Sequence, residues 1–416
     1  MTLDLATVEA RAAAAAAPWA DPESYWSIMQ AATEQLPAPL VAINLGALRH
    51  NADDLVRRAG GLPIRVASKS VRSRAVLDAV LALPGFDGVL AYTLAEALWL
   101  AETIDDVVVG YPSVDRASFA KLGASEQLAS RVTVMIDGVD QLDLIDSVIP
   151  PQGRAAIRVC LDFDASWRSR VLGHIGVRRS PLRTPAEIAS LARLVAVRPG
   201  FTLVGVMAYE AQIAGVGDRP ANPAEAALMR GMQRVSSAEL AERRAAAVAA
   251  VRTVVELEFV NGGGTGSIER TVAETAVTEV AAGSGLYGPH LFDHYAAFAP
   301  APAVGFALDV VRKPTPDRAT LLGGGWIASG PAAPDRLPLP VWPSGLSYEA
   351  REGAGEVQTP VRGESARGLR PGDRVWLRHT KAGEIMEHAH DIAVVGSTGV
   401  AQAPALTYRG EGKCFL

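Results

Sequence analysis

The chain has 416 residues, 49% of them apolar and 20% charged, with a formal net charge of −5. That length allows more than one domain, and the acidic balance argues against nucleic acid or an acidic membrane surface as the main partner. Only two cysteines occur, Cys160 and Cys414, far apart and outside any CxxC pattern, so neither a disulfide framework nor a zinc ribbon is expected and a reducing cytoplasm is the expected compartment.

Residues 1–37 read as helical: an alanine-rich run, then Asp21-Pro22-Glu23 as a helix start. The early acids Asp4 and Glu9, with no basic region ahead of an apolar core, do not make a signal peptide. Residues 39–60, PLVAINLGALRHNADDLVRRAG, predict a strand and then a helix stopped at Gly60-Gly61. From residue 64 a rhythm sets in. Strands are expected at 64–68, 88–93, 106–112, 131–137, 155–163, 201–209, 257–262 and 277–283, and most gaps between them hold a helical pattern. Apolar runs without alternation suit parallel strands buried on both faces. Eight such units in about 230 residues predict an α/β fold, a (β/α)8 barrel. No GxGxxG follows the first strand, which argues against an open dinucleotide-binding sheet. Residues 210–235 are too long for a simple turn and predict a loop over the site. No apolar run is long enough to span a bilayer. Beyond residue 290 proline and glycine become dense and short alternating runs follow, such as DRVWLRH and HDIAVVG, predicting a mostly β domain.

Two features carry chemistry. In PIRVASKSVRSR (63–74) a β-branched run delivers one lysine, Lys69, to a strand end, with Arg65, Arg72 and Arg74 nearby. In FVNGGGTGS (259–267) three glycines follow a buried strand and lead to a candidate helix start. Glycine lets backbone N–H groups turn inward on an anion, and late barrel loops commonly hold phosphate. No Gly-Lys-Ser/Thr follows, so this is not a P-loop. A lysine at the first strand end and a phosphate cup of Gly262, Gly263, Gly264, Thr265, Gly266 and Ser267 near the last suggest pyridoxal 5'-phosphate.

VAINLGALRHNADDL, the RVASKS that follows it, HIGVRRSPL (174–182), VNGGGTGS and TEVAAGSGLYG together resemble the fold-type III pyridoxal-phosphate enzymes, the alanine racemase group. The resemblance is nearest to the D-threonine aldolase and D-serine dehydratase branch, often labelled amino acid deaminase/aldolase. It implies Lys69 as the Schiff-base lysine and a barrel (61–290) followed by a β-domain (291–416), with the N-terminal segment (1–60) packing on the latter. It also implies a head-to-tail homodimer and a small D-amino acid with a β-hydroxyl as substrate. Tyr209 at the end of the sixth strand and Tyr287 in the exit segment are candidate cofactor contacts, the latter through its hydroxyl to phosphate. His174 and Arg178 beside the Gly-Val segment are candidate carboxylate ligands. Arg158, inside the fifth strand, is expected either to point at the cofactor or to pair with an acid such as Asp137.

The chain departs from that group twice. Alanine racemases carry an arginine facing the pyridine nitrogen; the matching position here is Ala281, and Glu279 lies on the same strand face. Glu279 is therefore a candidate partner of a protonated nitrogen. Second, the branch places His-x-Cys or His-x-Asp where a divalent metal grips the β-hydroxyl, and this chain has His379-Thr380-Lys381. A protonated lysine cannot ligate a metal. Either Lys381 supplies the positive charge itself, or a metal moves to His379 with Glu384 or to His388 and His390. In either case His379 is the candidate group at the β-oxygen. The alternatives are an amino acid racemase, which needs a second α-proton acid/base to which no residue is assigned, a non-catalytic pyridoxal-phosphate binding protein, and a phosphosugar enzyme using the same glycine loop. Cys414 has no assignable histidine base and is no nucleophile.

Overall fold

A computed structural model describes residues 3–331, 333–381, 383–396 and 398–416. Strand β1 (Leu40–Asn44) and the helix Leu45–Arg58 lead into the run of parallel strands that the sequence predicts. These are β2 (Ile64–Ala67), β3 (Phe86–Ala91), β4 (Val107–Val109), β5 (Val132–Ile136) and β6 (Ile157–Asp162). A short antiparallel hairpin follows, β7 (Trp167–Ser169) with β8 (Gly173–Ile175), and then β9 (Phe201–Ala208), β10 (Phe259–Gly262) and β11 (Glu279–Ala282). The barrel closes in the order β2-β3-β4-β5-β6-β9-β10-β11 and back to β2, with every pairing parallel.

The barrel interior is packed. Val108, Met135, Cys160, Val204, Met207 and Phe259 form one buried cluster. A Cβ at Gly205 would lie 2.3 Å from the Phe259 ring, so this glycine is what lets the ring fill the barrel. The expected loop over 210–235 is a correction: a one-turn helix, Ala211–Ala214, precedes a helix of 30 residues, Pro223–Arg252. Asn222 caps that helix, its side chain accepting the Ala224 N–H at 2.9 Å, and Pro223 sits in the first turn. The Asn-Pro pair is thus a helix start rather than loop punctuation. Between β10 and β11 the only helix is one turn, Ile268–Thr271.

Contacts divide the chain into two units. The barrel unit comprises Leu55–Lys69, Pro84–Ala282 and Phe415–Leu416; the other comprises Met1–Asp54, Ser70–Leu83 and Gly283–Cys414. The second unit contains β12 (Val304–Thr315), β13 (Arg318–Leu322), β14 (Leu339–Trp342), β15 (Ser347–Tyr348), β16 (Gln358–Arg362), β17 (Arg374–Arg378), β18 (Asp391–Val395) and β19 (Ala401–Leu406). β1 joins this sheet between β12, antiparallel with Leu40 opposite Ala307, and β18, parallel with Ala42 opposite Ala393. The helix Pro22–Thr33 covers it, packing Tyr25, Trp26 and Met29 on Leu40, Ala307, Trp376 and Val395. No described helix is long and apolar enough to cross a membrane.

Candidate active site

Side chains two apart on a strand share a face. The inward row of β2 starts at Arg65, whose guanidinium lies 5.2 Å from the Phe259 ring inside the barrel. Two steps further along that row, Lys69 sits in the turn Ser68–Ser70 immediately beyond β2. Its Nζ donates to the Tyr111 hydroxyl at 2.8 Å. Tyr111 follows β4, and Tyr209 follows β9. The Lys69 Nζ is 5.5 Å from the Tyr111 ring centroid and 5.9 Å from that of Tyr209. The Arg179 guanidinium approaches the same two rings, at 5.4 and 5.7 Å. Two cations therefore share two tyrosines at the C-terminal mouth of the barrel, where barrel ligands bind. Burial pushes the Tyr111 phenol up, but the Lys69 and Arg179 charges and the Lys69 hydrogen bond together bring it below its ordinary range. Burial drives the Tyr209 phenol the other way.

Asp162 ends β6 on the inward row of Cys160 and lines a small cavity with Gly110, Arg179 and Tyr209. Burial, and then repulsion by Asp137, push its carboxyl up to about 7, against the pull of Arg179. An unfolded aspartate ionises near pH 3.9. Between those values the folded chain binds more protons than the unfolded chain, so this group's stabilising effect is lost as pH rises through the window. Asp162→Asn removes the titration. In cofactor-free protein the variant's gain in thermal midpoint over wild type should be larger at pH 8 than at pH 4, by up to roughly 4 kcal/mol in stability. Equal gaps at both pH values would mean that the folded carboxyl titrates normally.

The glycine loop leaves β10 at Gly262, where a Cβ would meet Thr271 at 3.0 Å and Arg244 at 3.3 Å, and turns at Gly263 with φ +84°. Gly264 lies against Tyr209, whose ring would be 3.0 Å from a Cβ there. Two of the loop's N–H groups point inward: Gly263 donates to the Glu210 carboxylate at 3.3 Å and Gly264 to the Ser267 hydroxyl at 3.1 Å. These two N–H groups are thus taken up within the protein.

Several other sequence candidates have different tasks. Glu279 opens β11, and its successor Val280 lies level with Ile64, the first residue of β2, whereas Lys69 follows the last. Its oxygens accept from Arg65 at 2.7 and 2.9 Å and from Asn261 at 2.9 Å. Asp106 takes the same guanidinium at 2.8 Å. Glu279 is therefore neutralised at the foot of the barrel, which corrects its reading as a partner of a cofactor nitrogen. Arg158 is likewise near the foot of β6, paired with Glu258 at 2.9 and 2.5 Å rather than with Asp137 or a ligand. That puts it roughly 13 Å along the strand from Asp162. His174 is in β8, with Nε2 3.2 Å from the Val177 carbonyl, and Arg178 is exposed.

Tyr287, His379, Lys381 and Glu384 belong to the other unit. The Tyr287 hydroxyl donates to the Val71 carbonyl at 2.8 Å, so its proton is not offered to phosphate. His379 is 4% exposed, and burial, then the neighbouring Arg378 and His290, push it down to about 3. Lys381 is exposed and donates to the Ser329 hydroxyl at 3.2 Å, and the same hydroxyl donates to Glu384 at 3.1 Å. His388 stacks on Trp326 at 4.8 Å with 3° between the rings. Among the described residues no group of three or more His, Cys, Asp or Glu is arranged to hold a metal. Arg72 and Arg74, near Lys69 in sequence, also lie in this unit and pair with Glu387 and Glu411.

Residues 43–290 match the profile of the family described as alanine racemase, N-terminal domain. The chain belongs to that family. Among curated relatives of this family member, D-threonine aldolase of Arthrobacter sp is 27% identical over 248 residues, 58% of this chain and 59% of that protein. The chain thus matches little more than half the length of that relative. Among solved structures, D-threonine aldolase from Filomicrobium marinum superposes with a TM-score of 0.74 at 19% identity, covering 90% of this chain and 96% of that one. D-threo-3-hydroxyaspartate dehydratase from Delftia sp. HT23 gives 0.68 at 19%, covering 89% and 97%. Both likenesses establish the alanine racemase-like fold of this family member, a closed parallel barrel with a separate mostly β domain. Tyr111, Asp162, Arg179 and Glu210 were not singled out from the sequence. Three of them sit at or just past strand ends, as Lys69 does, and that position was their available signal.

Proposed function

We propose that this chain is a pyridoxal-phosphate-dependent lyase acting on a small D-amino acid with a β-hydroxyl, by retro-aldol cleavage or by dehydration. The carrying observation is the Lys69 amine at the barrel mouth, hydrogen-bonded to Tyr111 and flanked by the Tyr111 and Tyr209 rings. A primary amine, two aromatic faces and a glycine loop in one unit fit the aldehyde, ring and phosphate of that cofactor. Lys69 would bind the aldehyde carbon, Tyr209 would flank the ring, and the glycine loop would receive the phosphate. When bound, the cofactor supplies a sink for the electron pair released at Cα.

The chain's own residues do the rest. Tyr111 orients the Lys69 amine through their hydrogen bond. Arg179 offers a planar fork to the substrate carboxylate. Dehydration requires Lys69 to take the α-proton; retro-aldol cleavage does not. His379, the β-oxygen candidate read from the sequence, is pushed down to about 3, which leaves it neutral and only a weak base at working pH. The aldolase names of the curated relatives support this reading over a racemase, as does Ala281 where a racemase carries arginine. The homodimer and a cytoplasmic location stay part of the proposal, resting on family resemblance and cysteine usage. We carry no metal into it, because the ammonium of Lys381 stands two residues from His379 where a second ligand would be needed.

The test is the visible spectrum of purified protein given pyridoxal 5'-phosphate, then D- or L-serine and threonine. A yellow band that borohydride fixes onto Lys69, perturbed by the D-isomers only, is expected. Turnover unchanged by EDTA is expected as well. Deuterium exchange at Cα without product separates elimination from carbon–carbon cleavage. A protein that gains no band loses the cofactor, and a phosphosugar ligand for the glycine loop becomes the better reading.

A further inference from the structure

Beneath the glycine loop lies a buried ionic knot that the reading above does not use. Glu210, 2% exposed, follows Tyr209 directly. One carboxylate oxygen accepts the Gly263 N–H at 3.3 Å and an Arg244 Nη2 proton at 2.7 Å. The other accepts the Ser267 hydroxyl at 2.9 Å and the Thr271 hydroxyl in a short contact. The Ser267 oxygen in turn accepts the Gly264 N–H. Glu210 thus fixes, directly or through one hydroxyl, both ends of the segment Gly263–Ser267 and the one-turn helix after it. Arg244 is 0% exposed, reaches in from the helix Pro223–Arg252, and also meets Glu274 at 2.7 Å. Burial works against its charge, but the two carboxylates outweigh that and hold the guanidinium above its ordinary range.

Isolated buried charges are costly, and an ion pair buried this deeply does not stabilise a fold by itself. It does impose one geometry on the groups it ties. A flexible triple-glycine loop needs such a tie, because a loop that must freeze on binding loses affinity to ordering. We propose that Glu210 is a positioning residue that holds the glycine loop in its anion-accepting form, with Arg244 compensating its charge. Four donors converge on the carboxylate, so that the backbone of the loop is held in one geometry for the ligand's phosphate. This inference rests on the cofactor reading above and assigns the phosphate end of that same site.

The test separates phosphate binding from everything else. Wild type, Glu210→Gln and Thr271→Val are titrated with pyridoxal 5'-phosphate and, separately, with pyridoxal, following the visible band. The amide of Glu210→Gln turns a donor toward Arg244 and gives up an acceptor. Its dissociation constant for pyridoxal 5'-phosphate should rise at least tenfold while that for pyridoxal stays within about twofold, since charge-assisted hydrogen bonds are the strong ones. Thr271→Val removes one of the four donors at nearly constant volume and should show a smaller rise of the same kind. It decides the matter if Glu210→Gln does not fold. Equal weakening for both ligands, or no weakening in Thr271→Val alongside a folded, unaffected Glu210→Gln, would overturn the inference. If Glu210→Gln does not fold, an unaffected Thr271→Val alone overturns it. A wild type that binds neither ligand would instead overturn the cofactor reading.

Discussion

Lys69→Ala is expected to give a colourless protein in pyridoxal 5'-phosphate and to lower turnover of D-hydroxy amino acids by on the order of 10³-fold or more. The argument is geometric. Lys69 is the amine that β2 delivers to the barrel mouth, where its Nζ is 2.8 Å from the Tyr111 hydroxyl. Alanine removes the nucleophile and leaves the barrel strands intact, because Lys69 lies in the turn beyond β2 and takes no part in the ladder. Lys69→Arg sharpens the test. It keeps a positive charge beside Tyr111, and a guanidinium does not deprotonate to become a nucleophile. Loss in both variants means that a reactive amine is needed; activity retained in Lys69→Arg means that only charge is needed, and the cofactor assignment fails. Absorbance and steady-state rates on both variants measure this, with circular dichroism to verify folding.

The barrel was readable because parallel strands buried on both faces write themselves as unbroken apolar runs, as in DVVVG and FTLVGVMA. Lys69 was readable for the same reason: a charged residue at the end of such a run has few places to go. Apart from Tyr209, the rest of the mouth was not. Tyr111 follows β4, Asp162 ends β6 and Arg179 lies in the connection after it, so no local pattern joins them. Strand phase hid two more. Arg158 and Asp162 share an inward row, yet one lies near the foot of β6 and the other at its mouth; residue type alone marked Arg158 as the interesting one. Glu279 was read from its face on β11, and the face was right, but the level along the barrel decides its partner, which is Arg65. The helix Pro223–Arg252 was misread because proline and asparagine mark both loops and helix starts.

Contact also separates the adjacent arginines Arg178 and Arg179, and this yields the second large effect. Both lie outside any strand, and the guanidinium of Arg179 is the one that approaches the Tyr111 and Tyr209 rings. The sequence offered either Arg178 or His174 as a candidate carboxylate ligand. The proposed carboxylate ligand is instead Arg179, which lies by the two tyrosines. Arg179→Met keeps much of the side chain's apolar length and removes the fork. Losing charge-assisted hydrogen bonds of about 1.5–3 kcal/mol should lower kcat/KM by roughly 10- to 100-fold, since each 1.4 kcal/mol is tenfold. Both positions are exposed, but the guanidinium over these rings is that of Arg179, so Arg178→Met should change it by less than about twofold. A carboxylate role also predicts that Arg179→Met loses discrimination between an amino acid and its amide or decarboxylated amine, which a purely packing role on the tyrosine rings would not produce. If Arg178→Met carried the larger loss, the carboxylate would have to approach from the solvent side of the β7–β8 hairpin, and Arg179 would serve only to hold Tyr111 against Lys69.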